Sequence, residues 1–164
     1  MGKEIFLKKG SLITSKTDLS GKIVYANDDF LNYAGYSVKD ILYKPHNIVR
    51  HEDMPKTVFK FLWDYIKKGE EIFAFVKNKS KNGDFYWVFA NVTPSFDMQD
   101  KMIGYYSVRR QPNPKAMPPI LSLYDELLRA EKQGIAEGVR TLEDFCKKAK
   151  KSYNELIFSL QETK

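Results

Sequence analysis

The chain has 164 residues, 43% of them hydrophobic and 14% aromatic, which suits one globular domain with a core and a short extension. Its formal charge of +6 comes from lysines and arginines scattered along the chain rather than gathered into a stripe, which argues against nucleic acid as a partner. No apolar run approaches the roughly 20 residues of a membrane span, the apolar stretch 5–7 is too short for a secretory signal, and the single cysteine, Cys146, excludes an internal disulfide and any multi-cysteine metal site. The expected setting is the cytoplasm.

Residues 11–18 and 22–26 read as two strands closed by a turn over 18–21, an opening hairpin. Asn27 is a candidate N-cap for a helix through Tyr33, Gly35 ends it, and Ser37 begins a second short helix. A longer helix is predicted from Asp53 as N-cap, with Pro55 near its first turn. Val58, Phe59, Leu62, Trp63 and Ile66 recur at three and four along it, and Gly69 stops it. Residues 71–79 and 85–95, rich in aromatic and β-branched side chains, form a long hairpin about Asn82 and Gly83. Residues 102–109 add a fifth strand despite Gly104. Five antiparallel strands with helices inserted between the second and third make the fold class α+β.

The four prolines of residues 111–119 mark a linker through which neither helix nor sheet should continue. Beyond it, residues 121–133 read as a helix, with a break at 134–138. A second helix then carries Leu142, Phe145, Ala149, Tyr153, Leu156 and Leu160 in register. That stripe must pack either on the domain or on a partner. The division is an N-terminal segment 1–10, a domain 11–110, the linker 111–119 and a helical extension 120–164.

The segment PHNIVRHEDMP, residues 45–55, sets Arg50, His51 and Asp53 just before the long helix. A helix start presents unpaired N–H groups and a positive dipole end, so an arginine and a histidine beside it can clamp a diphosphate. On residue types alone, a solvated or structural role for the same side chains is the favoured reading.

Together with strand order, the phrases YANDDF at 25–30, GYS at 35–37 and KNGDFYWV at 81–88 resemble a PAS domain over about residues 11–110. More narrowly, residues 45–55, the KKGE of 67–70 and residues 76–94 resemble the FAD-binding PAS domain of Aer-type aerotaxis receptors. Lacking a membrane anchor, the chain looks closer to the detached CetB-like proteins of energy taxis. The resemblance implies FAD between sheet and helices, contacted by Asn27, Arg50, His51, Asp53, Trp63, Asn78 and Tyr86.

Each of these positions has a structural reading beside the implied one. Asn27 and Asp53 are helix caps, and Asp53 could also hold Arg50 or His51 in place. Trp63 sits on an apolar helix face. Asn78 alternates with Val76 and Ala74 toward the inside, where its amide could address the flavin's pyrimidine edge, and Tyr86 shares a face with Val88 and Ala90. The chain departs from the Aer-type pattern at Phe73 and Phe75, where that pattern has a tryptophan and a smaller side chain, so ring stacking there is not implied. No cysteine lies near Asn47 to Arg50 to form the flavin adduct of a LOV photoreceptor, and Cys146 lies outside the domain.

The implied function is a non-enzymatic redox sensor for aerotaxis or energy taxis. It would signal to a membrane-bound methyl-accepting chemotaxis-like protein, at the inner membrane through that partner, with homodimerisation left open. Two alternatives keep the fold: a haem-binding oxygen sensor with His46 or His51 as axial ligand, and a cofactor-free dimerisation module. A small flavin reductase is a third, although the glycines never make the GxGxxG of a nicotinamide site.

Overall fold

The computed structural model describes residues 2–164. Its five strands are β1 (Ile13–Thr17), β2 (Ile23–Ala26), β3 (Ile72–Lys79), β4 (Phe85–Phe96) and β5 (Met102–Arg110), all antiparallel and ordered β2-β1-β5-β4-β3. The hairpins follow from local chemistry. The Asp18 carboxylate accepts the N–H of Ser20 and of Lys22, each at 2.9 Å, and shapes the first turn. Gly83, at φ +93°, supplies the left-handed residue of the second. The pairing of β1 with β5 joins the two ends of the domain at the centre of the sheet, with Ile13 opposite Arg109 and Thr17 opposite Tyr105. Gly104 is required by that junction, because a Cβ there would lie 2.2 Å from the Thr17 carbonyl oxygen.

Helices α1 (Asp28–Ala34), α2 (Val38–Ile41) and α3 (Lys56–Lys67) lie between β2 and β3 in sequence and cover one face of the sheet. Asn27 caps α1 by accepting the Phe30 N–H at 3.0 Å, as its residue type predicts, and Gly35 closes it at φ +73°.

Asp53 does not cap α3: the helix begins at Lys56 after Pro55, and the Asp53 carboxylate pairs with Lys77 at 3.0 Å. The cap comes instead from Glu131, whose carboxylate accepts the N–H groups of Lys56 and Thr57 at 3.1 and 2.9 Å. A local signal lost to a distant carboxylate because the turn at 51–54 carries Asp53 away from the helix axis, toward a strand lysine.

The extension is three helices, not two: α4 (Met117–Glu131), α5 (Ile135–Ala149) and α6 (Tyr153–Gln161). Within 111–119 helix formation is not avoided. A 3-10 turn spans Pro114–Ala116, and Pro118 and Pro119 sit in the first turn of α4, where a missing N–H costs nothing. The predicted single stripe is divided between α5 and α6. Lys150 is left-handed at φ +55°, and Ser152 starts α6 with a capping box to Glu155. Gly138 lies inside α5 rather than in a break, pressed so close to Thr57 that a Cβ would stand 2.1 Å from its Oγ1.

These helices fold back on the domain. They pack on the face of β3 and β4 opposite α1 to α3, where Phe158 meets Phe73 at 5.4 Å and Tyr124 meets Trp87 at 5.9 Å between ring centroids. The Tyr124 hydroxyl donates to the Phe75 carbonyl. Asn154 accepts the Phe73 N–H and donates to the Glu71 carbonyl, both at 2.9 Å, which blunts the open edge of β3. The extension also grips α3, with Tyr153 against Phe61 and Tyr65 at 5.3 and 6.0 Å. Phe73 and Phe75, the departures from the Aer-type pattern, therefore serve this packing on the outer face.

Candidate functional site

A cavity of about 360 Å³ opens between the inner face of the sheet and α3. Strand alternation builds its floor from Ser15 and Thr17 of β1, Val76 and Asn78 of β3, Ala90 and Val92 of β4, and Tyr105, Ser107 and Arg109 of β5. Small side chains at Ser15, Ala90 and Ser107 leave the room. The apolar stripe of α3 supplies Phe59, Leu62, Trp63 and Ile66 as the opposite wall, and the segment 45–50 adds His46 and Arg50. Trp63 stands edge-on to Tyr105, with centroids 5.7 Å apart.

The charge of this cavity is one-sided. Arg109 is only 3% exposed, yet no carboxylate lies within ion-pair distance of it or of Arg50 among the described residues. Its guanidinium donates to the Ser15 hydroxyl and, at 3.3 Å, to His46 Nε2, and it lies 5.0 Å from the centroid of the Phe30 ring. A guanidinium can only donate, so His46 Nε2 is an acceptor and the imidazole is neutral. Burial first, and the Arg109 charge second, hold His46 down to about 3. Burial lowers Arg109 to about 10, which leaves it protonated at neutral pH. Arg50, lowered by its own burial, rests over the Phe59 ring at 3.5 Å. The Nε atoms of Arg50 and Arg109 are buried without hydrogen-bond partners.

Of the residues implied by the sequence, Arg50, Trp63 and Asn78 stand on the cavity wall. The other four do not. Asn27 is engaged by its own turn, with Oδ1 accepting from Thr14 and Phe30 at 3.0 Å each and Nδ2 donating to the Leu12 carbonyl at 2.7 Å. His51 turns to the other side of its segment, where its ring meets Phe85 at 5.8 Å and Nδ1 accepts the Asp53 N–H at 3.1 Å. Asp53 is exposed and committed to Lys77. Tyr86 is buried behind the wall against Tyr33, its phenol pushed up to about 12 by burial, against the opposing charge of Arg109. The predicted anion seat at the start of α3 is also taken, because Glu131 already occupies its amides.

Arg109, Ser15 and Tyr105 escape the sequence reading as site residues, and Phe59 enters it only as part of the apolar stripe of the long helix. Period-two alternation marks Tyr105, Ser107 and Arg109 as one face of β5, but nothing local says which face the cavity lies on. His46, weighed as a haem ligand, does face the cavity, but its Nε2 already accepts from Arg109, a cation that opposes a metal ion at that nitrogen. His51 lies off the wall.

Residues 23–109, more than half of the chain, match the PAS fold. The chain belongs to the PAS family. This PAS protein is 40% identical over 121 residues to the aerotaxis receptor of Escherichia coli K12, covering 74% of the chain and 24% of the receptor. It is 23% identical over 104 residues to the nitrogen fixation regulatory protein of Klebsiella oxytoca, covering 63% of the chain and 21% of that protein. The chain thus spans about a quarter or less of these relatives. Among solved structures, the dark state of the blue-light photoreceptor Aureochrome1 LOV superposes with a TM-score of 0.56 at 25% identity, covering 62% of the chain and 76% of the LOV domain. No helix among the described residues is long and apolar enough to cross a membrane.

Proposed function

We propose that this PAS protein binds FAD in the cavity and serves as a redox-sensing input module for aerotaxis or energy taxis, working in the cytoplasm beside a membrane-bound chemoreceptor-like partner. The observation that carries the reading is a pair of guanidiniums, Arg109 buried and Arg50 half-buried, each with a buried, unpaired Nε and no carboxylate, in a cavity walled by aromatic rings. Such a site suits a flat ring system with an acceptor-rich edge and a negative charge. The similarity to the aerotaxis receptor points the same way.

In this reading Trp63, Tyr105 and Phe59 enclose the ring, and Asn78 offers both a donor and an acceptor to its edge. Arg50 meets the negatively charged part of the cofactor, and Arg109 and Ser15 close the inner end. The flavin, once bound, accepts and releases electrons. The protein's own part is to hold it, exclude water and respond to its charge without turnover. The test is the colour of the purified protein. Paired flavin bands are expected, with FAD released into the supernatant on denaturation. FMN as the sole flavin, or a Soret band in place of the flavin bands, would overturn it.

A further inference from the structure

A buried cation without a counter-charge costs several kcal/mol unless something compensates it. Arg109 is such a cation. It projects from β5 inside the sheet, with Ile13 of β1 and Ala90 of β4 opposite it in register, and is only 3% exposed. Its two hydrogen-bond acceptors, Ser15 and His46, are neutral, the Phe30 ring 5.0 Å away carries no net charge, and its Nε has no partner. Ser15 and His46 also bond each other at 2.9 Å, so the three side chains form one fixed cluster, and His46 is held neutral within it. The cluster supplies orientation without neutralising the charge.

We infer that Arg109, positioned by Ser15 and His46, is the group that reads the charge of the bound ring, binding its reduced form more tightly than its oxidised form. The inference rests on the flavin reading above. Reduction by a hydroquinone-type donor moves two electrons to the ring. One of the donor's two protons goes to the ring and the other to solvent, and the donor leaves as a quinone. The ring gains one negative charge beside a guanidinium that has no other. The interaction is therefore strengthened in one state only, which is what a sensor needs to shift an equilibrium.

The experiment is a spectroelectrochemical titration of the full chain loaded with FAD, as wild type, Arg109→Gln and Arg109→Lys. Gln keeps a hydrogen-bonding side chain and removes the charge, whereas Lys keeps the charge. A tenfold loss of preference for the reduced ring lowers a two-electron potential by about 30 mV. Arg109→Gln is expected to show at least that, and Arg109→Lys to stay nearer the wild type. Two results would overturn the inference while leaving the flavin reading intact: an unchanged potential in FAD-loaded Arg109→Gln, or loss of FAD from both variants, which would make the residue a contact rather than a charge reader. A wild-type protein that takes up no flavin would overturn the reading of function itself, and this inference with it.

Discussion

Glu131, the last residue of α4, accepts both the backbone N–H of Thr57 at 2.9 Å and its hydroxyl at 2.7 Å, so the extension caps the helix that walls the cavity. Helix α3 is thereby shared. Phe59, Leu62, Trp63 and Ile66 face the cavity, while Phe61 and Tyr65 hold Tyr153 of α6.

Glu131→Ala removes this cap and should lower stability by about 1 to 2 kcal/mol, the usual worth of a helix N-cap with charge assistance. Urea unfolding followed by circular dichroism checks it, and amide exchange at Lys56 and Thr57 should speed up selectively. Paired with Thr57→Val, the two losses should fall short of additive, because they break the same contact.

Gly138→Ala places a methyl group against the Thr57 hydroxyl that Glu131 holds. The side chains must separate, at a cost of about 1 to 3 kcal/mol typical of overpacking. Its signature is a rise in exchange across α5 together with the first turn of α3, while β1 and β5 stay protected. Uniform protection in the variant would show that the extension yields without releasing α3.

His46 makes the fold acid-sensitive. Its folded value of about 3 lies below the ordinary 6.5, so between those two pH values the unfolded chain binds a proton that the folded chain refuses. Stability therefore falls as pH drops through that window, with a slope from this residue approaching 1.4 kcal/mol per pH unit. His46→Gln keeps an acceptor toward Arg109 and should flatten the curve from pH 6.5 downward. An equally steep curve in that variant would assign the acid sensitivity to other groups.

Arg50 and His51, adjacent in sequence, should behave differently. Arg50→Ala removes a charge-assisted contact worth roughly 1.5 to 3 kcal/mol and should weaken FAD binding at least tenfold in a fluorescence titration. His51→Ala, a residue turned toward Phe85 and Asp53, should change it less than twofold. Equal losses would place the cofactor outside the cavity described above.

What the sequence determined by itself was local. The turns at Asp18 and Asn82, the cap at Asn27, the closing Gly35 and the apolar stripe of α3 are set by side chains within a few residues of the backbone they govern, so pattern alone exposes them. Alternation likewise turned Asn78 inward, and motif resemblance brought out Arg50 and Trp63.

Tertiary structure decided what depends on residues far apart in the chain. The central pairing of β1 with β5, the Glu131 cap that displaced Asp53, the division of the tail stripe and its seat on Phe73 and Phe75 are all of this kind. So is the isolation of Arg109. Its residue type suggests a solvated surface, and only the assembled sheet buries it beside Ser15 and His46. Periodicity tells which face of an element is apolar, but packing alone chooses the partner that face meets and the charges left without one.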